Sequence, residues 1–166
     1  TWKRSDLYQK KIPAVILNIR ASRINSRWSV NLHLHSCLKG GRGMLLSHKT
    51  SVKICPEYSN IIGHMCYAAS KLWNVCNYER RHYKELGLEK YPDWYYQKKA
   101  HKGDLWYRQL PAQTAQETCK QLDKAWKSFY ALKKTGGIKD PNPPRFKQDN
   151  IPVTYMQMGI RHEKGS

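Results

Sequence analysis

Two glutamines at helical spacing stand near the start of the segment LPAQTAQETCKQLDKAWKSFYALKK, residues 110–134. Gln113 and Gln116 lie three residues apart, so a helix would place both side chains on one side of its first turns. Proteins that read the major groove place base-contacting side chains at such helix starts, and glutamine bonds bidentately to adenine. The competing interpretation is that glutamine is a good helix former on an exposed face. Gln113 and Gln116 alone do not decide between base recognition and an ordinary exposed helix face.

The same segment carries an apolar stripe beside a basic one. Lys120, Lys124 and Lys127 recur at i, i+4 and i+7, where they would either neutralise phosphates or form an ordinary solvated face. Apolar residues recur at intervals of three and four on a neighbouring side, which is typical of a helix that packs on a core. The apolar stripe consists of Leu122, Ala125, Trp126, Phe129 and Leu132.

Basic and aromatic residues also alternate in two earlier segments, ERRHYKE (79–85) and DWYYQKKAHK (93–102). Cations neutralise phosphates while exposed rings stack on bases, so this interleaving is typical of nucleic-acid-binding surfaces. Arg80 and Arg81 in the first segment are therefore candidates for nucleic-acid contacts.

Motifs of several enzyme classes are missing. The sequence has no phosphate-binding glycine loop, no G-x-S-x-G and no H-E-x-x-H, and its Cys and His residues lack the paired spacing of a zinc site. A metal-dependent nuclease would need converging carboxylates, yet Asp93, Asp104, Glu117 and Asp123 are better explained as caps or solvated surface acids. We therefore predict no catalytic residue, no metal site and no cofactor in this chain.

The charge balance points to the class of partner. The 166 residues include 30 Lys and Arg against 12 Asp and Glu, a formal net charge of +18, and such an excess predicts a polyanion, with nucleic acid the leading candidate. No apolar run approaches the ~20 residues of a membrane span, and no secretory signal is visible. Five irregularly spaced cysteines favour reduced thiols. We expect a cytoplasmic protein without a membrane partner.

Strands are expected on both sides of the helical segments. The runs IPAVILNI and WSVNLHLH have strand character, the second through apolar–polar alternation, and HKTSVKICP is a further strand closed by Pro56. A helix of about 25 residues should follow and end by Gly87. Its apolar stripe should consist of Tyr58, Ile61, Ile62, Met65, Ala69, Leu72, Trp73 and Cys76. Asp93 should cap a short helix, Pro111 should begin the long one and the glycine pair 136–137 should end it. With IPVTYMQMGI as a returning strand, this order predicts an α+β fold in which a helical block is inserted between strands of a small sheet.

The first 43 residues suggest a separate hypothesis. They show no consistent amphipathic design, and Lys39-Gly40-Gly41 back-translates to a ribosome-binding sequence shortly before Met44. We hypothesise that residues 1–43 are translated leader DNA and that the natural start is Met44. Terminal sequencing of the natively expressed protein tests this, because a mature start upstream of Met44 would rule it out.

The chain from about Met44 onward resembles the N-terminal part of the TnpB (OrfB) proteins of bacterial insertion sequences, known as putative transposases. The resemblance rests on the strand that leads into Pro56, on SKLWNVCNYERR with Asn74, on LPAQTAQETCKQLDKAWKSFY and on PPRFK. The last two motifs are the specific ones. The resemblance covers about three quarters of the chain.

The resemblance implies an RNA-guided DNA endonuclease related to the type V CRISPR effectors. Such proteins take a guide RNA from the end of their own element, recognise a short motif beside the target DNA and cut with a RuvC-like domain. The full-length family uses Mg and Zn. The RuvC-like domain and the four-cysteine zinc module would lie beyond Ser166, so the resemblance implies a fragment that binds nucleic acid without cutting it.

The resemblance also implies roles for particular residues. Gln116 falls on the helix position that reads the target-adjacent motif, with Gln113 beside it, and Tyr95 or Tyr96 falls near a helper aromatic residue. Gln157 falls where the returning strand contributes a polar reader, although TYMQMGI departs from the more usual Asn- and Thr-rich run. Two further residues would contact backbone phosphates, namely Arg145 and Lys147.

The expected domain organisation follows from the same resemblance. Residues 1–43 are an unassigned leader, 44–57 a wedge strand, 58–135 the helical recognition lobe, and 136–166 a proline-rich connector with a returning, truncated wedge strand. The expected partners are a guide RNA from the element end and target DNA, in a bacterial or archaeal cytoplasm, while the oligomeric state stays open. Two alternatives also stay open: a stand-alone basic DNA-binding regulator that uses a recognition helix, and a decayed, non-functional transposase fragment.

Overall fold

The computed structural model describes the backbone of residues 15–21, 27–35, 45–53, 55–136 and 139–155, and side chains within 55–136 and 139–155. The described strands form one antiparallel sheet in the order β3-β2-β1-β4, so β1 lies between β2 and the returning strand β4. The alternation in WSVNLHLH correctly predicted β2. The strands are β1 (Val15–Ala21), β2 (Arg27–His35), β3 (Leu45–Lys53) and β4 (Val153–Tyr155).

Two of these strands, β1 and β2, come from the segment 1–43. Ile19 of β1 is paired with Val30 of β2 on one side and with Val153 of β4 on the other. The returning strand therefore adds to this sheet through residues that the leader hypothesis treats as foreign. That hypothesis stays a prediction until the terminus is sequenced, but experiments on this fold need the whole chain.

Four α-helices and one short 3-10 turn lie between β3 and β4 in the part of the chain that the structure describes. They follow one another without an intervening strand, so the described residues combine a helical block with an antiparallel sheet, which is the predicted α+β class. Within the described residues, none of the helices is both long enough and apolar enough to cross a membrane. The helices are α1 (Pro56–Arg81), α2 (Trp94–Ala100), α3 (Leu105–Arg108) and α4 (Ala112–Thr135), with the 3-10 turn at His101–Gly103.

Local signals set most helix ends. The Asp93 carboxylate accepts a hydrogen bond from the Tyr96 amide at 2.7 Å and caps α2, as predicted. Gly136 adopts the left-handed conformation (φ 65°) that closes α4, also as predicted. Pro111 is the residue before α4 rather than its first residue, and α1 ends at Arg81, short of Gly87.

The core lies where α1 packs against α4. Leu72 and Cys76 on α1 and Leu122 and Trp126 on α4 are buried, and Val153 of β4 joins them. Three residues expected in the apolar stripes are exposed instead, because they lie in the first turns of α1 and the last turns of α4, beyond the region where the two helices pack together. These residues are Tyr58, Ile61 and Leu132.

Candidate nucleic-acid interface

The Pro-rich connector runs along α1 and is held there through its backbone. The carbonyl oxygen of Pro144 accepts hydrogen bonds from the Asn77 amide at 2.9 Å and from the Arg81 guanidinium at 2.6 Å. The prolines of this stretch exclude a helix and have no backbone N–H to donate. Side chains of α1 therefore satisfy its carbonyl groups.

The next residues of the connector are fixed in the same way. The indole N–H of Trp73 donates to the carbonyl oxygen of Arg145 at 3.2 Å. The Asn74 amide makes a two-way bond with Lys147, because Nδ2 donates to its carbonyl oxygen at 2.9 Å and Oδ1 accepts from its N–H at 2.7 Å. The backbone faces α1, and the side chains of Arg145 and Lys147 are exposed.

Rings and cations are paired along this connector. The Arg81 guanidinium lies 4.7 Å from the centre of the Phe146 ring, and the Lys147 ammonium lies 4.9 Å from the centre of the Trp73 ring. Arg145, predicted for a phosphate contact, is exposed beside them. We call residues 144–147 together with Arg81 the connector surface.

A second cluster forms where α2 lies beside α4. The Lys98 ammonium is 4.7 Å from the Trp94 ring centre and 4.5 Å from that of Tyr95, while the Lys120 ammonium is 4.9 Å from the Trp94 ring centre. The two rings lie 3.8 Å apart. Tyr95 is about half exposed, and the neighbouring Tyr96 is exposed too. We call Trp94, Tyr95, Lys98, Lys120 and Lys124 the α2–α4 surface.

The two glutamines lie in the first turns of α4, where the sequence predicted them. Both Gln113 and Gln116 are half-buried, so neither is the fully solvated side chain of the simpler interpretation. Gln116 also hydrogen-bonds to the buried Tyr107 hydroxyl, whose pKa is raised chiefly by burial and lowered in part by this bond. This contact uses part of the hydrogen-bonding capacity of Gln116 and leaves the rest for a ligand.

The three predicted lysines of α4 differ in their surroundings. The Lys127 ammonium bonds to the Asp123 carboxylate at 2.8 Å, and that of Lys120 lies 3.8 Å from Glu117. Lys124 is exposed and has no ion pair within the described part of the chain. Lys124 is therefore the α4 cation most available to a phosphate, whereas Lys127 would have to leave its carboxylate.

Arg80 requires a correction, since the sequence analysis assigned it to the nucleic-acid-binding surface. Its side chain is almost wholly buried. Nη1 donates to the Asp123 carboxylate at 2.9 Å, and Nε donates to the side-chain oxygen Oε1 of Gln97 at 2.9 Å. A buried guanidinium needs such partners to offset the loss of water. The surface assignment of Arg80 is therefore wrong, while its neighbour Arg81 points outward, because adjacent helical positions face different directions.

The buried network continues from Arg80 and attaches α2 to α1. The side-chain nitrogen Nε2 of the fully buried Gln97 donates to the backbone carbonyl of Cys76 at 2.9 Å and to the Glu79 carboxylate at 2.7 Å. Burial raises the pKa of Glu79, but hydrogen bonds from His101 and Gln97 outweigh it and the pKa is lowered. The network thereby positions the helix that carries the α2–α4 surface.

His101 closes the network on the α2 side. Its ring bonds to Glu79 at 3.2 Å and to Asp104 at 2.5 Å. The hydrogen bond to Glu79 is the largest influence, and together with Asp104 it outweighs burial and raises the pKa of His101 to about 9. His101 is therefore positively charged at neutral pH.

The acids that a nuclease would require are accounted for by other contacts. Asp93 caps α2, Asp104 bonds to His101, Glu117 pairs with Lys120 and Asp123 pairs with Arg80. Among the residues with described side chains, no group of three Cys, His, Asp or Glu comes together in a way that could hold a metal ion.

Gln157, the polar reader expected in the returning strand, lies outside the described residues.

The sequence analysis missed the residues that organise these surfaces. Neither Asn77 nor Gln97 was singled out from the sequence, but both are fully buried and hydrogen-bonded. The one available signal was the position of Asn77 beside the core residues of α1, where a polar side chain must find a partner if it is buried.

No family model matches this chain, and neither the curated proteins nor the solved structures contain a significant match.

Proposed function

We propose that this chain is the nucleic-acid-binding N-terminal part of a TnpB-type RNA-guided DNA endonuclease. In this proposal the antiparallel sheet is the wedge and the helical block is the recognition lobe inserted into it. The observation that carries the proposal is the α2–α4 surface, where Lys98 and Lys120 lie over the rings of Trp94 and Tyr95, one helical turn from Gln116.

That surface combines the two chemistries that nucleic acids require. Lysine ammonium groups neutralise phosphates, and an exposed ring such as that of Tyr95 stacks on a base or a sugar. Gln116 adds an amide that is able to distinguish bases by their edges.

The connector surface would contact the backbone of the same ligand. Its carbonyls are bonded to α1, so the segment keeps an extended shape, and Arg145 and Lys147 project from it. A rigid segment loses less conformational entropy when it binds than a free one. We assign these two cations to phosphate contacts and propose binding, not cleavage, as the activity of this chain; the Mg and Zn of the full-length family would serve its other domains.

The test is a comparison of RNAs with the full 166-residue chain at ~150 mM salt, where generic phosphate binding has weakened steeply. The RNA transcribed from the DNA flanking the element end is compared with a scrambled RNA of equal length and composition by fluorescence anisotropy. We expect the flanking RNA to bind at least about tenfold more tightly. Equal and weak binding of both RNAs would contradict the proposal.

The same assay distinguishes a second candidate, a stand-alone DNA-binding regulator. The half-buried pair Gln113 and Gln116 at the start of α4 favours that candidate, since recognition helices read bases from their first turns. A sequence-specific footprint on duplex DNA from RNase-treated protein would support the regulator and overturn the RNA-guided proposal.

A further inference from the structure

The outward side of α1 carries a stripe that neither the resemblance nor the charge pattern singled out. Its members recur at intervals of three and four from Asn60 to His82, so they share one side of the helix over about 33 Å. None of them is a carboxylate; the acids of α1 are Glu57, one turn before the stripe, and Glu79, whose carboxylate is bonded to Gln97 and His101. We call this the outer stripe: Asn60, His64, Tyr67, Lys71, Val75, Tyr78 and His82.

The rings of the outer stripe are exposed and paired with cations or other rings. Tyr67 is 40% and Tyr78 is 52% exposed, which is high for aromatic side chains. The Lys71 ammonium lies 4.9 Å from the Tyr67 ring centre, and the His82 ring stacks on Tyr78 at 4.2 Å. The stripe therefore offers flat faces at intervals along its length, with positive charge between them.

A groove opens at the N-terminal end of the outer stripe. It is a shallow depression of about 600 Å³, largely open to solvent, between the first turns of α1 and the loop that leads into α4. Ile61, Met65 and Leu110 supply apolar lining, and Arg108 and Gln109 supply polar groups, while the lining contains no carboxylate. Gln109 is fixed by a 2.8 Å hydrogen bond to His64.

The chemistry of this groove suits an unstacked nucleobase. Ligand pockets of this size have mostly apolar walls with a few oriented polar groups, and single-stranded RNA is recognised through bases that are splayed out and stacked on side chains. Arg108 is exposed at the edge of the groove, where it would meet the phosphate of such a base. A second basic protein is a poorer fit, because the stripe and groove hold cations and no acid.

We propose that the outer stripe and its groove bind single-stranded nucleic acid, with bases on Tyr67 and Tyr78 and one unstacked base in the groove. This inference rests on the proposed function for the class of ligand, but it concerns a different surface. The buried side of α1 faces α4, whereas the outer stripe faces solvent. The outer stripe shares no residue with the α2–α4 surface or the connector surface, so mutations can test it separately.

The test uses the full chain and a fluorescein-labelled single-stranded RNA of mixed sequence and about 20 nucleotides, compared with the same RNA paired to its complement. We expect Tyr78→Ala to weaken single-strand binding at least fivefold, because one lost base stack has that effect, and to change duplex binding less. Tyr67→Ala should act likewise, but Tyr67 also packs on Trp106 at 5.7 Å, so its folding is checked by thermal denaturation.

A charge variant provides a second line of evidence that does not depend on those rings. K71Q/R108Q is compared with K84Q/K90Q, which removes two exposed lysines elsewhere and gives the same net charge. Weaker single-strand binding by the first variant alone is expected. The inference would be overturned if the two charge variants bound the single-stranded RNA with affinities within about twofold of each other and Tyr78→Ala bound it as tightly as wild type.

Photocrosslinking separates this inference from the proposed function. RNA that carries 4-thiouridine should crosslink to residues of the outer stripe or the groove, which mass spectrometry identifies. Crosslinks confined to the α2–α4 and connector surfaces would overturn the outer-stripe inference and leave the proposed function standing. The absence of any RNA binding by the wild-type chain would overturn both.

Discussion

Arg80 and Arg81 are adjacent in sequence and have opposite roles in the structure. Arg80 is buried and bonded to Asp123 and Gln97, whereas Arg81 is exposed and reaches Pro144 and the Phe146 ring. Arg80 belongs to a buried polar network, and Arg81 belongs to an exposed surface on which cations lie over aromatic rings. Positive charge in the first region stabilises the fold, and only charge in the second is available to a nucleic acid.

The largest expected effect comes from Arg80→Met. The substitution leaves the buried Asp123 carboxylate with the exposed Lys127 ammonium as its remaining ion-pair partner within the described residues. We therefore expect a loss of about 3 kcal/mol, the lower end of the range for a broken buried ion pair. Urea denaturation of the full chain measures the free energy of unfolding. Arg81→Met is the control one residue away, with an expected loss of about 1 kcal/mol because its bond to Pro144 is exposed.

A double variant sharpens this prediction. In R80M/D123L both charges are replaced by apolar side chains of similar size, and such replacements are often neutral or stabilising. We expect the double variant to recover most of the stability that R80M loses. Equal losses for R80M and R81M would show that the buried network is no more important to the fold than the surface.

Asn77 connects the core to the connector surface, and its loss should have the next largest effect. Asn77→Ala leaves the buried Trp126 N–H without its acceptor, while the Pro144 carbonyl keeps its bond from Arg81. An unsatisfied buried donor costs about 1–3 kcal/mol. Asn74→Ala removes a more exposed contact and should destabilise the chain by about 1 kcal/mol or less.

Hydrogen exchange distinguishes the two asparagine variants. The Lys147 amide donates to Asn74, so Asn74→Ala should remove its protection while the amides of α1 remain protected. Unchanged protection of the Lys147 amide in Asn74→Ala would contradict the claim that α1 side chains hold the connector.

The buried network should also give the fold a dependence on pH. The folded-state pKa of His101, about 9, lies above its ordinary value of 6.5, so folding favours the protonated ring. The resulting stabilisation is complete below about pH 6.5 and is lost as the pH rises through about 9. The difference between these two pKa values corresponds to about 3 kcal/mol, and solvent screening at the half-exposed Asp104 reduces the expected loss to roughly 2 kcal/mol.

His101→Gln is the variant that isolates this effect. It should be less stable than wild type at pH 6.5 and nearly equal to it above pH 9, as measured by urea denaturation across the range. His82→Gln is the control, because His82 lies outside the network and should leave the wild-type slope unchanged. A His101→Gln variant that keeps the full wild-type slope would contradict the assignment.

The helices and their ends were predictable because their signals are local. The three-and-four spacing of apolar residues, the Asp93 cap and Gly136 at the end of α4 each act within a few residues. The strand pattern in residues 27–35 was equally local. Leu132 was misjudged because spacing does not show where a partner helix stops.

The organisation of the candidate surfaces was not predictable, because it depends on distant pairs. Arg80 and Arg81 look alike in sequence, and what separates them is Asp123, 43 residues further on. Asn77 meets Pro144 across 67 residues. A pattern in one segment identifies the side chains that are able to bind a phosphate, but it does not identify the ones that the fold uses internally.

The central claim is that the exposed α2–α4 surface binds nucleic acid, and that net charge alone does not. The most direct measurement compares the triple variants K98Q/K120Q/K124Q and K84Q/K90Q/K139Q, which have equal net charge. Lys98 and Lys120 are half-buried, and the other four lysines are exposed. Both should be within about 1 kcal/mol of wild-type stability. At ~150 mM salt we predict that the first variant binds the flanking RNA at least about tenfold more weakly than the second. Equal weakening of both would contradict the claim, because it would mean that the RNA responds only to the total charge.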